Sequence, residues 1–205
     1  MHNRKGCELE QKNMSTLYEN GLFVEAIPSL FEKLSNNLSE YNKKHNTKFK
    51  PINKLVTSEE GKEYVFYVLR RDGQSSSIYA PNGRHFFRSV PNRPKEKLKL
   101  TSSKISTILR EEEWCDFKFD LVIDAQGAEL EVLKGFGGYL KNIEKMHIEV
   151  TRDVPIYKGG VLFPELHKWL YNNNFKIDSS LLQDGEVSMS KIPWHGNVMY
   201  YKNKT

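Results

Sequence analysis

The chain has 205 residues, 28% of them charged and 38% apolar, with a formal net charge of +5. That length and balance describe one ordinary folded domain over residues 1–205 and exclude a disordered chain. The charge is too mild to indicate nucleic acid by itself, and no apolar run reaches the ~20 residues that span a bilayer.

The first ten residues, Met1 to Glu10, are polar, with no apolar strand ahead of Gly6 and no apolar core of a signal peptide. Cys7 and Cys115 lie far apart without metal-ligand spacing, so a reduced, cytoplasmic setting is expected. Leu22 to Val24 read as a strand that ends at Glu25. In nucleotide-binding α/β folds an acid at that point accepts hydrogen bonds from ribose hydroxyls. Pro28 suits a first helical turn, and Leu30, Phe31, Leu34, Leu38 and Tyr41 then repeat on one helical face. Asn42 to Lys50 reads as a polar connection, and Pro51 to Val56 as a third strand followed by Thr57-Ser58. Glu63 to Leu69 alternates as a strand with Tyr64, Phe66 and Val68 on one side, and Asp72-Gly73 has the composition of a hairpin turn. Gln74 to Ser77 leads into an irregular stretch, Ala80 to Lys99, which interleaves Arg84, His85, Arg88, Arg93, Lys95, Lys97 and Lys99 with Phe86 and Phe87. A loop of that length is either a solvated cover or a lid over an anionic acceptor.

The most informative stretch is Phe117 to Gly135. Phe119, Leu121, Val122 and Ile123 form a near-continuous apolar run, the pattern of a strand buried on both faces of a parallel sheet. It stops at Asp124, and Leu130, Leu133, Gly137 and Leu140 follow at helical spacing, with Glu129 and Glu131 in the first turns and Gly135 as a stop. Strand, glycine turn and helix make half of a βαβ unit, whose ligands bind at the carboxyl end of the strand, where Asp124 stands. Lys145 to Thr151 is the next strand, with His147 and Glu149 on one face and Glu149 level with Asp124. His147 reads as a hydrogen-bonded core residue. Phe163, Leu166, Trp169 and Leu170 form an amphipathic helix, and Phe175 to Ile177 and Asn197 to Tyr201 an antiparallel closing pair. His195, between Trp194 and Gly196, reads as a turn residue. No repeat, P-loop, Ser/His/Asp triad or zinc spacing is present.

The run from Asp124 to Gly135, Asp-Ala-Gln-Gly-Ala-Glu-Leu-Glu-Val-Leu-Lys-Gly, resembles the signature of FkbM-family methyltransferases. Phe23 to Leu34 resembles that family's second strand and following helix, and Gly73 to Ile78 its Ser-rich loop. Leu100 to Leu109 resembles the element leading into the hallmark strand. Ile148-Glu149-Val150, Tyr157-Lys158-Gly159 and Phe163 to Leu166 come in the same order. The resemblance implies an α/β fold of the Rossmann-like class I type, with a mostly parallel sheet, an antiparallel C-terminal strand pair and S-adenosylmethionine as cofactor. The first strand of such a fold is missing or truncated here, so the chain is either a domain excised from a longer polypeptide or one that has lost that strand. By the same resemblance Gly6, Glu25, Ala26 and Ser58 face the cofactor, although the family carries an acid where Ser58 stands. Gln74, Ser75, Ser76, Gln126 and Glu129 face the acceptor, expected to be a hydroxyl of a sugar or glycan, and Arg88 joins them if the basic loop is a lid.

Methyl transfer to an alcohol requires the acceptor oxygen to be held in line and its proton accepted. Glu25, Asp124 and Glu149, at the ends of three expected strands, allow a division of labour, with Glu25 on ribose and Asp124 and Glu149 on the acceptor. The same carboxylates could equally hold a divalent cation. Two other readings stay open: a nucleic-acid methyltransferase, motivated only by the basic 84–99 stretch, and a binding module without catalysis, motivated by the absent strand.

Overall fold

The computed structural model describes residues 17–69, 73–83 and 93–203. The chain divides between Leu55 and Val56 into two compact units. The polar leader in which the first strand is expected to be missing, with Gly6, falls outside the described residues, as do Asp72 and Arg88.

The first unit contains a βαβ element: β1 (Asn20–Glu25), α1 (Pro28–His45) and β2 (Lys48–Asn53), with β1 and β2 parallel and Glu25 level with Asn53. Pro28 stands in the first turn of α1, where its missing N–H costs nothing and its fixed φ is already helical. Leu38 of α1 is buried, as are Ile27, Phe49 and Ile52, and the ring of Phe49 meets Phe23 at 5.3 Å and Tyr41 at 5.6 Å. The polar connection expected over Asn42 to Lys50 is shorter than its composition suggests. The helix runs to His45, Asn46 closes it in the left-handed region, and β2 begins at Lys48. Asn42 accounts for the difference. Its side chain accepts from the Thr47 hydroxyl (2.8 Å) and the Phe49 N–H (3.0 Å) and donates to the Phe49 carbonyl (2.8 Å), binding the helix end to β2.

The second unit begins with β4 (Glu63–Val68), after the two residues of β3 (Leu55–Val56) at which the division falls. It pairs antiparallel with β5 (Glu96–Ser103), and Phe66 and Val68 are buried on one side of β4 as their alternation requires. Then follow α2 (Ile105–Glu111), β6 (Phe119–Ile123), α3 (Glu129–Lys134), a 3-10 turn (Gly137–Asn142), β7 (Ile143–Thr151), α4 (Phe163–Asn172), β8 (Phe175–Ile177), the short hairpin β9 (Leu182–Gln183) and β10 (Glu186–Val187), and β11 (His195–Lys202). Four strands form one sheet in the order β6-β7-β11-β8, with β6 and β7 parallel and β11 antiparallel to both neighbours. The closing pair is therefore antiparallel, as expected, and the fold is mixed α/β.

The expected mostly parallel sheet is not what this unit contains: its sheets are small and mixed. β6 also departs from expectation. It is the outer strand of its sheet among the described residues, and Val122 is 73% exposed. A continuous apolar run records what each residue tolerates, whereas a cover on the second face has to be supplied by another element. The core lies on the other side, where Ile123, Leu130, Leu133, Phe136, Met146, Ile148, Leu166, Leu170 and Tyr200 are buried. Gly135 is required at its place because a Cβ there would come within 2.5 Å of the Thr57 carbonyl oxygen.

Candidate active site

The site is built on the turn between β6 and α3. The parallel register sets Ile123 opposite Ile148, so the next residues, Asp124 and Glu149, stand side by side at the carboxyl ends of the two strands. Two successive left-handed residues, Gln126 (φ 52°) and Gly127 (φ 95°), then turn the chain. A Cβ on Gly127 would meet the Gly160 α-carbon and the Tyr157 ring at 3.2 Å, so both its φ and its space call for glycine. Glu129 folds back inside the turn, its Oε1 accepting from the N–H groups of Ala125 (3.1 Å) and Gly127 (3.0 Å). Only 3% of this residue is exposed, and burial pushes its carboxyl up to about 7. Glu129, expected to face the acceptor, is turned onto the backbone of the turn.

Gln126 joins the two carboxyl groups. Its side-chain N–H2 donates to Asp124 Oδ1 and to Glu149 Oε2, the latter at 2.7 Å. The direction of this amide is set by Tyr157, whose hydroxyl donates to Gln126 Oε1 at 2.6 Å and lies 2.9 Å from the Ser75 carbonyl. Ser77 adds a third hold, its hydroxyl donating to the Gln126 carbonyl at 2.8 Å. On the far side of Glu149, His195 Nε2 lies 3.4 Å from Oε1, and Nδ1 of the same ring is 3.2 Å from the Thr151 hydroxyl.

The electrostatics follow from this crowding. Burial raises the Glu149 carboxyl well above the usual range, and the Asp124 carboxylate, hydrogen-bonded to it, raises it further. Like charges this close oppose one another, so Glu149 is the group pushed toward keeping its proton. Burial, with Glu149 next in importance, also raises the Tyr157 phenol, which therefore stays a neutral donor. A singly protonated carboxyl pair can take a proton at one oxygen while the other group supplies a hydrogen bond.

The remaining expected residues are placed elsewhere. Glu25 ends β1 in the first unit, its Oε1 accepting from the Ile27 N–H at 2.7 Å, and burial raises its carboxyl. Beside it, the Ala26 carbonyl accepts a long bond of 3.4 Å from the Asn53 amide. In the second unit the Ser58 hydroxyl donates to the Glu131 carboxylate on α3. Ser76 is buried, its hydroxyl accepting from the Leu69 N–H (3.2 Å), and Ser75 contributes its carbonyl to Tyr157. Gln74 is exposed. Among the described residues no group of three or more His, Cys, Asp and Glu side chains is arranged to hold a metal ion. A hollow of about 80 Å3, lined by Tyr79, Gly127, Glu131, Lys134 and Glu165 among others, falls short of the ~300–1,000 Å3 of ligand pockets.

Tyr157, Ser77 and His195 complete the site and were not expected in it. Tyr157-Lys158-Gly159 stands out in the sequence only by its order among other segments. No local pattern marks a serine that hydrogen-bonds a carbonyl 49 residues away. His195 was read as a turn residue, but it is the first residue of β11 and pairs with Thr151.

A family model described as the methyltransferase FkbM domain matches residues 8–177. No curated protein and no solved structure matches the chain.

Proposed function

We propose that this chain, which belongs to the FkbM methyltransferase family, transfers a methyl group from S-adenosylmethionine to a hydroxyl oxygen, with a sugar or glycan as the acceptor class. The observation that carries the reading is the pair of Asp124 and Glu149, held by Gln126 at the carboxyl ends of adjacent parallel strands. A Rossmann-like class I arrangement is part of this reading. It draws support from the parallel pairs β1/β2 and β6/β7, the first with Glu25 at its carboxyl end and the second with Asp124 and Glu149, and from the antiparallel last strand.

The residues ending β1 fit the ribose of that cofactor. The Glu25 carboxylate is half-buried and oriented by the Ile27 N–H, and the Asn53 amide secures the Glu25 carbonyl at 2.8 Å. A carboxylate so fixed can accept from a vicinal diol. The cofactor supplies a methyl carbon activated by its sulfonium. The chain has to place the acceptor oxygen in line and take its proton as the new O–C bond forms. The ionised member of the Asp124–Glu149 pair receives that proton, and the Gln126 N–H groups hold both carboxyls. A cytoplasmic location suits Cys115, which carries a free thiol. No described helix is long and apolar enough to cross a membrane.

The test pairs binding with turnover. Asp124→Asn keeps the shape and removes the charge, so it should bind S-adenosylhomocysteine like the wild type by calorimetry while kcat falls ~10²–10⁴-fold. Glu25→Ala should show the reverse, weakened cofactor binding. Transfer of labelled methyl to RNA in preference to a panel of glycans would refute the acceptor class. Wild-type turnover by a folded Asp124→Asn would refute the role of the carboxyl pair.

A further inference from the structure

His195 lies beyond the residues that the family model matches, yet it stands against the carboxyl pair. The antiparallel register puts His195 directly opposite Thr151 and Asn197 opposite Glu149, so Glu149 is the diagonal neighbour of His195 on the same face of the sheet. Nδ1 of the ring lies 3.2 Å from the Thr151 hydroxyl, and Nε2 lies 3.4 Å from Glu149 Oε1.

Resting on the function proposed above, we propose that His195 is a positioning residue for the transfer. Its neutral ring donates from Nε2–H to Glu149 Oε1, and the Thr151 hydroxyl, donating to Nδ1, fixes that tautomer. Glu149 is then held from both sides, by His195 at Oε1 and by Gln126 at Oε2. This tautomer is favoured because an N–H directed at an acid that shares one negative charge is stronger than a bond between neutral groups. Among the described residues, Arg152 and Asp153 follow the end of β7 and pair with each other at 2.6 Å. The Arg152 guanidinium also donates to the carbonyls of Met189 and Ile192, both at 3.2 Å.

The experiment reads the ring itself, with no cofactor or acceptor present. Nitrogen-15 spectra of the full chain, recorded at alkaline pH where the ring is neutral, should show a single tautomer protonated at Nε2. Thr151→Val should admit the second tautomer, and Glu149→Gln should move the His195 signals. In turnover, His195→Leu should lower kcat about 10- to 100-fold, as the loss of one hydrogen bond to a charged group would, with the acceptor KM unchanged. His195→Gln, which keeps an N–H donor, should recover much of that loss. A wild-type ring protonated at Nδ1, or signals indifferent to Glu149→Gln, would overturn the proposal. Equal kcat in His195→Leu and the wild type would overturn it as well. The expected spectra from a protein that methylates no hydroxyl would uphold the contact and refute the function on which its role rests.

Discussion

Glu129 offers the most direct check on the electrostatics of the site. It is 3% exposed, its Oε1 holds the Ala125 and Gly127 N–H groups, and its carboxyl is pushed from the ordinary 4.5 up to about 7, chiefly by burial. A folded-state value above the unfolded one means that the folded chain binds the proton more tightly. Stability from this group is therefore fully present below pH 4.5 and is lost as the pH rises through about 7. At ~1.4 kcal/mol per tenfold change in proton affinity, the loss across that window is on the order of 3 kcal/mol. Glu129→Gln retains a carbonyl oxygen for the two N–H groups and cannot ionise, so it should lack this loss. Its buried amide N–H2 costs about 1–3 kcal/mol if unpartnered, but that cost does not vary with pH. Urea unfolding followed by circular dichroism, at pH values from below 4.5 to above 7, gives the difference between the two proteins directly. The variant should gain on the wild type as the pH rises. Comparing the two removes the pH dependence of Glu25, which burial also raises and which both proteins share. A difference that stays constant with pH would refute the assignment of a buried, proton-holding carboxyl to Glu129.

Two further outcomes test the scaffold of the site. Tyr157→Phe removes the donor to Gln126 Oε1 and leaves the Ser75 carbonyl without its O–H neighbour, so it should cost about 1–3 kcal/mol by denaturant unfolding. It should also lower kcat more than it raises KM, because the freed Gln126 amide no longer holds both carboxyls. Gly135→Ala drives a Cβ to within 2.5 Å of the Thr57 carbonyl, which belongs to backbone and cannot swing aside. The melting temperature should fall, corresponding to about 1–3 kcal/mol of overpacking, while a Gly138→Ala control, with open space around it, should change little.

Much of this was legible along the chain. The change of period at Asp124, the acid closing Leu22 to Val24, and the one-sided repeat after Pro28 each involve neighbours within a few residues, and each appears where expected as β6, β1 and α1. Asp124 and Glu149 could be set level because both end apolar strands of a βαβ pattern, and parallel pairing aligns such ends. The sequence of the turn did not show which way its polar groups face. Glu129 and Gln126 were both expected to face the acceptor; Glu129 turns inward to accept from two N–H groups of the turn, and Gln126 is aimed by a tyrosine 31 residues further on. Val122, apolar like its neighbours, is exposed because the second face of β6 depends on what covers it rather than on its own pattern. The place of His195 is decided furthest from the sequence. The β7–β11 register sets it across from Thr151, 44 residues away, and a slip of one residue would carry the ring to the opposite face of the sheet. Residue types and local periods thus determined the elements and the acids at their ends, while strand register and packing across long separations decided which side chains meet at those acids.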